Sequence, residues 1–347
     1  MSTPEKLGYR LPPEWETHAA TWLTWPRDDG VWFRDRYEST CACYARLIRE
    51  VVTGEAVHVN VGDQRMEENA RLVLHEHGVP IESVIFHQLP PRDPWLRDYG
   101  PIFLTRSSGG IWQRAIVDWG FNAWGGRNSE WETEDAMPSL AAQVLDLPIF
   151  APKMILEGSS FEANGAGSLL VTEACLLNEN RNPELNRLQI QNGLKAFLGV
   201  SNILWLDEGL AGDETDGHVD GLARFINSTT ILAAAEEDIN DANYLVLQNT
   251  MQLLRTMRDQ DGKLFKIVKL PTPGLVEHAG QRLAASYLHF YVANRVVLVP
   301  QFRRRNDLLA LDVFRREFPN RTVVGVDVTA LMTGMGSIHA ALLQEPA

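Results

Sequence analysis

The sequence predicts an α/β fold, in the α+β sense, built by repetition of one small unit within a single domain over residues 1–347. Three observations predict it. Short β-rich runs alternate with helical stretches in the order strand, helix and one or two further strands. About five such units of roughly 70 residues can be marked out, although no sequence identity marks the repeat. No linker, charge block or low-complexity segment interrupts the 347 residues.

The elements follow in order. Residues 21–25 are a β-rich run stopped by Pro26, and residues 40–52 have helical spacing up to Gly54. Residues 56–61 alternate as a strand. Asp63 is placed to cap a helix that ends at Gly78, because a carboxylate there accepts a free first-turn N–H. Residues 83–89 form a strand that feeds the rigid stretch PPRDPWLRDYGP, residues 90–101. Residues 102–105 and 112–119 are strands joined by a Ser-Ser-Gly-Gly turn. Residues 121–126 are loop and 139–147 a weak helix. Residues 153–156 are predicted as strand, followed by the glycine-bearing turn LEGSSFEANGAG. Residues 169–172 and 174–177 are strand-like. Asn182, with Pro183 behind it, is expected to cap a helix to residue 198. Residues 202–206 are strand. Strands at 222–226 and 230–234 pair around Asn227-Ser228. Asp241 caps a helix to residue 257, and residues 264–270 are strand. Residues 284–292 and 296–299 form a hairpin, Asn306 caps a helix to residue 318, and residues 321–328 are the last strand.

With 45% hydrophobic and 22% charged residues the chain is of the soluble globular class. A net charge of −13 and a pI near 5.2 speak against nucleic acid and anionic membrane, which need basic surface. They permit a cationic small substrate. No run of about 18 apolar residues exists. The stretch MSTPEKLGYRLPPEWE carries no apolar signal region, so a cytoplasmic location is expected. Three cysteines, Cys41, Cys43 and Cys175, give no paired framework and suit a reducing compartment. No Gly-rich phosphate loop and no G-x-S-x-G elbow stands in strand–helix context, and no cofactor is expected.

Residues 212–225, GDETDGHVDGLARF, concentrate polar chemistry: Asp213, Glu214, Asp216, His218 and Asp220. Such a cluster is costly to bury without partners or a task. His218 and Asp220 are two apart, so an extended strand would project both to one face. A solvated acidic turn is the plain alternative. Similar segments recur at strand ends: Asp98 after Arg97, Glu157 before Gly158, and His339 after Gly336-Ser337-Ile338. Carboxylates from different units can converge on one pocket. Only His218 and His339 are available as histidine ligands, too few for a usual zinc centre, so no metal is expected. Carboxylates without metal suit a planar cation, and a guanidinium offers a fork of donors to two of them. Trp95, Trp119 and Trp124, each beside Pro or Gly or close to it, can wall a pocket or serve as packing.

The motifs LPPEWETHAATWLTWP, PWLRDYGP, GFNAWGG, ILEGSSFEANGAGSLLVTEACLLNENRNP, DETDGHVDGLARF and GSIH…QEPA stand in order almost end to end. In these the chain resembles the agmatine deiminases and related bacterial peptidylarginine deiminases of the guanidine-modifying superfamily. The resemblance implies a five-bladed β/α propeller with pseudo-fivefold symmetry. It implies hydrolysis of agmatine to N-carbamoylputrescine and ammonia, in the line of putrescine and polyamine biosynthesis. It assigns Asp98 and Asp220 to grip the guanidinium, Glu157 to orient substrate and histidine, and His218 to acid–base work. Trp95, Trp119 and Trp124 are expected along the aliphatic tail, and Asp213 or Glu214 at its far ammonium. Family members are often homodimers.

The family nucleophile is a cysteine directly after the C-terminal histidine, and here that residue is Ala340. Ala341, Leu342 and Leu343 also depart from the family's continuation, and Ser159 replaces the second glycine of Glu-Gly-Gly. A laboratory substitution would explain Ala340 alone, whereas the neighbouring changes point to natural divergence or to a tail that differs from its parent's, so both an engineered and a natural origin stay open. Cys41, Cys43 and Cys175 fall in predicted helix or strand, which argues against a substitute nucleophile. Peptidylarginine deimination and guanidinium binding without catalysis are the alternatives.

Overall fold

Most of the β-rich runs find a neighbour, and one sheet pattern recurs along the chain. The computed structural model describes residues 2–28, 32–33, 35–91, 93–129 and 131–347, so Arg92 of the turn-rich stretch lies outside the described residues. Among them the strands form five sheets of three or four strands and one two-stranded ribbon. The first sheet holds β1 (His18–Thr24), β2 (Ala56–Asn60) and β3 (Val84–His87), all parallel. Helices Tyr37–Val51 and Gln64–Glu76 make the crossovers that parallel strands require.

In the second sheet β4 (Ile102–Ser108) and β5 (Ile111–Val117) form a hairpin, and β6 (Ile149–Phe150) returns parallel to β5 after helix Met137–Leu145. The third repeats this with β7 (Phe161–Ala163), β8 (Ser168–Thr172), helix Arg187–Leu198 and β9 (Asn202–Leu206). The fourth has the hairpin β10 (Ala223–Asn227) and β11 (Thr230–Ala235), helix Tyr244–Thr256, and β12 (Lys266–Pro271) beside β11. The ribbon is β13 (Glu277–His278) with β14 (Gln281–Arg282). The fifth sheet has β15 (Tyr291–Val292), β16 (Val296–Gln301), helix Asp307–Glu317 and β17 (Thr322–Asp327). Finally β18 (Leu343–Pro346) lies beside β1 in the first sheet. The expected count of about five repeats matches these five sheets.

The chain divides into two compact units. The first comprises Met1–Pro13, Asp98–Leu270 and Pro346, and the second Glu14–Arg97, Pro271–Glu345 and Ala347. In the first unit Leu104, Val117, Leu169, Val171 and Leu194 bury the inward faces of the second and third sheets. In the second, Trp22, Tyr44, Leu47, Phe290 and Phe314 are fully buried, with Phe290 edge-on to Phe314 at 4.8 Å. Burial of such side chains stabilises by about 1.5–3 kcal/mol each. No helix among the described residues is long and apolar enough to cross a membrane.

Several elements differ from expectation, each for a local reason. Residues 153–156 make only one isolated bridge, Ile155 to Gly120. The side chain of Asn182 takes both backbone groups of Ile155, at 2.9 and 3.0 Å, where a strand would pair. Asn182 is therefore no helix cap. The helix starts at Arg187, with Asn186 and Gln189 in a reciprocal capping box. Residues 174–177 are not strand but the short helix Glu173–Leu176. Residues 284–290 do not pair, so the fifth hairpin is shorter than expected. Asp241 organises the turn before helix Tyr244–Thr256, accepting the Asn243 N–H at 2.8 Å, and does not cap it. Asn306 also makes no side-chain cap. The cap at Asp63 forms as expected, with Met66 N–H donating at 2.8 Å. Strands β7 and β18 escaped the sequence because three or four residues leave too little periodicity.

Candidate active site

Four expected residues, Asp98, Glu157, His218 and Asp220, belong to the first unit and are at most 5% exposed. Asp98 lies in the short helix Leu96–Tyr99. Its Oδ2 accepts the indole N–H of Trp124 at 2.9 Å, and its Oδ1 accepts the Ser159 backbone N–H at 3.1 Å. Trp124 is held for this task in a left-handed backbone, φ 53°, next to Ala123 at φ 55°. L-residues seldom adopt this region, at a cost of about 1–3 kcal/mol each, and keep it where surrounding bonds enforce it. Here Asn122 does so. Its side chain accepts the Gly125 N–H and donates to the Asn180 carbonyl, both at 2.9 Å.

Glu157 immediately precedes the turn Gly158–Ser160. Its Oε1 accepts from Arg181 Nε at 3.0 Å, while Oε2 lies 3.7 Å from His218 Nε2 and 3.9 Å from Cys175 Sγ. Arg181 also bonds Asp216 and, at 2.9 Å, the Thr215 carbonyl, which ties the acidic loop to Glu157.

His218 and Asp220 do not lie on a strand. His218 precedes the 3-10 turn Val219–Gly221, which contains Asp220. The loop before it is fixed from two sides. Asp213 Oδ2 accepts the His218 N–H at 3.0 Å, and its Oδ1 accepts the Thr215 N–H and hydroxyl at 2.8 and 2.6 Å. Gly217, at φ 102°, lies against Gly209 so closely that a Cβ on Gly209 would stand 2.1 Å from the Gly217 Cα. Only glycine permits this backbone approach.

The electrostatics follow from burial and charge. Burial raises the Asp98 carboxyl above its ordinary value, against the pull of His218, Ser159 and Trp124, and the nearby Asp220 adds to the rise. Burial by itself would lower His218, yet Asp98, the Cys175 sulfur and Glu157 hold the imidazole well above its ordinary value. For Glu157 burial is overcome by His218 and Arg181, which lower its pKa. The arrangement is a buried set of one histidine and several carboxyls, groups able to move a proton at the imidazole.

The remaining expected residues are placed differently. Both oxygens of Asp213 are engaged by its own loop. Trp119 packs in the apolar core of the first unit, edge-on to Phe197 at 5.8 Å. Trp95 and Ala340 belong to the second unit. Trp95 packs over the backbone of Gly336, where an added Cβ would meet its ring at 2.5 Å. Ala340 is half-buried in the turn Ile338–Ala341. Its neighbour His339 is fixed by Glu14: Glu14 Oε2 lies 3.1 Å from His339 Nε2 and 3.0 Å from Arg97 Nη2, and Arg97 Nε donates to the His339 carbonyl at 2.6 Å.

Sequence reasoning missed Arg181 and set Cys175 aside. The signal for Arg181 was its place in NENRNP. For Cys175 the expected strand hid it, because in the short helix its sulfur reaches Glu157.

Fold and site together define a mixed α/β protein with buried acids gathered about a single histidine. The chain belongs to the Porphyromonas-type peptidyl-arginine deiminase family, whose profile matches residues 10–346. It is 34% identical to an agmatine deiminase of Pseudomonas aeruginosa over 372 aligned positions, covering 100% of this chain and 98% of that protein. The solved agmatine deiminase of Enterococcus faecalis superposes with a TM-score of 0.93 at 32% identity, covering 100% of this chain and 98% of that one. A C. jejuni agmatine deiminase with substrate bound gives a TM-score of 0.88 at 30% identity, covering 98% and 96%.

Proposed function

We propose that this chain carries a deiminase-type site for a guanidinium, that agmatine is its ligand, and that the family reaction is hydrolysis of a C–N bond to give N-carbamoylputrescine and ammonia. We further propose that the five sheets are blades of a β/α propeller forming one domain. The recurring hairpin–helix–strand order and the return of β18 to β1 support that arrangement.

The observation that carries the functional reading is the anchoring of Asp98 by Trp124 and Ser159 together with Glu157 and His218 in one buried set. A carboxylate held by two donors keeps lone pairs for a guanidinium fork, and charge-assisted pairs of this kind are the strong ones. Agmatine is favoured over a peptide because the similar relatives above carry that activity in their names. In the family reaction a cysteine thiolate attacks the guanidinium carbon. His218 protonates the departing ammonia, and water then cleaves the amidino-thioether and returns the thiol. The methyl of Ala340 offers no nucleophile, so the chain as written is expected to bind agmatine without turning it over.

Calorimetry and an ammonia assay test this. Agmatine should bind the chain as written, and Asp98→Ala should weaken it by about 2–5 kcal/mol. Ala340→Cys should release ammonia from agmatine. A folded chain that binds no agmatine, or a folded Ala340→Cys variant that binds it and releases nothing, would sink the proposal.

A further inference from the structure

The site contains a side chain that the deiminase reading does not use. Cys175 is 1% exposed, and its Sγ lies 3.9 Å from Glu157 Oε2, the oxygen that Arg181 leaves free. His218 Nε2 stands 3.7 Å from the same oxygen, buried and without a hydrogen bond. One donor atom from each of Glu157, Cys175 and His218 lies within 4.8 Å of the other two.

Imidazole, thiolate and carboxylate are the donor types of a zinc site. With Zn–S near 2.3 Å and Zn–N or Zn–O near 2.0 Å, tetrahedral donors stand about 3.3–3.6 Å apart. The N–O and S–O separations of 3.7 and 3.9 Å therefore need to close by about 0.4 Å each. Arg181 fixes the other oxygen of Glu157, the kind of outer support that ligating carboxylates usually have.

We propose that Glu157, Cys175 and His218 form a binding site for a thiophilic divalent cation such as zinc, with a fourth position left for water. Binding breaks no bond but S–H, and N–H where His218 is charged. Those protons pass to solvent and no oxidation state changes. Because the ion takes Glu157 and His218, it excludes the guanidinium. This exclusion rests on the agmatine reading; the metal site itself does not.

Metal-free protein titrated with Co²⁺ tests the site, and Zn²⁺ displacement reports affinity. One equivalent should produce a thiolate-to-cobalt charge-transfer band and tetrahedral visible bands. Changes in outer-shell partners already cost about 10–100-fold in affinity, so loss of a ligand in Cys175→Ser should cost at least that and abolish the sulfur band. His218→Ala should weaken binding yet keep the band. The Cys41→Ser/Cys43→Ser pair should behave as wild type. A folded wild-type protein that gives no sulfur band overturns the site, whatever the variants do. So does a band that survives Cys175→Ser and vanishes in the Cys41/Cys43 pair. Agmatine should raise the apparent Co²⁺ Kd. Cobalt binding indifferent to bound agmatine overturns the exclusion, whereas failure of agmatine to bind at all refutes the earlier reading and leaves the metal site standing.

Discussion

Replacing Arg181 by Met probes the charge balance on which the site stands. Arg181 is 2% exposed in its side chain and pairs with Glu157 at 3.0 Å. Methionine fills similar space and donates nothing. Asp216 keeps Arg127 at 3.0 Å and Asn180 at 2.8 Å, so the loss falls mainly on Glu157. Removing one partner of a buried pair costs about 3–5 kcal/mol. A second route gives a similar figure. A carboxyl of ordinary pKa 4.5 forced to hold its proton at pH 7 costs about 3.4 kcal/mol, at 1.36 kcal/mol per pH unit. We therefore expect Arg181→Met to lose about 3–4 kcal/mol at pH 7 by equilibrium urea unfolding. The sign of the pH dependence is fixed as well. The folded-state pKa of Glu157 is lowered, so its contribution is present above the ordinary value of 4.5 and fades as pH falls through the folded value. The deficit of the variant should narrow on acidification. In the double variant Glu157→Gln/Arg181→Met the two losses should be far from additive. A deficit under about 1 kcal/mol at pH 7, or one that does not narrow in acid, would refute the reasoning.

Other outcomes follow from the same structure. Glu14→Ala leaves Arg97 and His339 without their shared carboxylate and the Val292 N–H without its 2.8 Å acceptor, so a loss of about 3–5 kcal/mol is expected in thermal or urea unfolding. Gly209→Ala drives a methyl into the Gly217 backbone at 2.1 Å and should cost at least about 1–3 kcal/mol, read as a lowered Tm. His218 should titrate above its ordinary 6.5 in ring-proton NMR; its contribution to stability is full below that value and is lost as pH rises through the raised one, so His218→Asn should differ most from wild type on the acid side. Ala340→Cys, at a half-buried position, should leave the unfolding midpoint within about 0.5 kcal/mol of the parent.

The parts of the fold legible in sequence were those with long periodic patterns. Helix Gln64–Glu76 could be placed because Asp63 and Gly78 punctuate it, and the hairpin of β10 and β11 because Asn227-Ser228 separates two apolar runs. Position 155 misled because its backbone partner is a side chain 27 residues away, which no local pattern encodes. The candidate residues Asp98, Glu157, His218 and Asp220 were legible as acids and a histidine near glycine, while the roles expected of them came from the family resemblance alone. The same loop that yields His218 uses Asp213 as internal scaffolding, and only hydrogen-bond geometry separates a ligand-facing carboxylate from a loop-organising one. Cys175 shows the converse error. A strand would have carried it along the sheet, whereas a four-residue helix delivers its sulfur to Glu157.

The C-terminal segment bears on why position 340 has no thiol. Ala341, Leu342 and Leu343, the residues that depart from the family pattern beside it, are at most 3% exposed. Apolar side chains so completely buried are part of the packing, since each removes surface from water worth about 1 kcal/mol or more. Strand β18 pairs beside β1, and Glu345 accepts the indole N–H of the fully buried Trp22 at 2.6 Å. His339 is fixed through both its ring and its carbonyl by Glu14 and Arg97. None of these bonds involves the side chain at 340. The segment is thus held in place by groups other than the side chain at 340. A tail that packs this coherently around Ala340 is in keeping with divergence of the whole segment and not of one position alone.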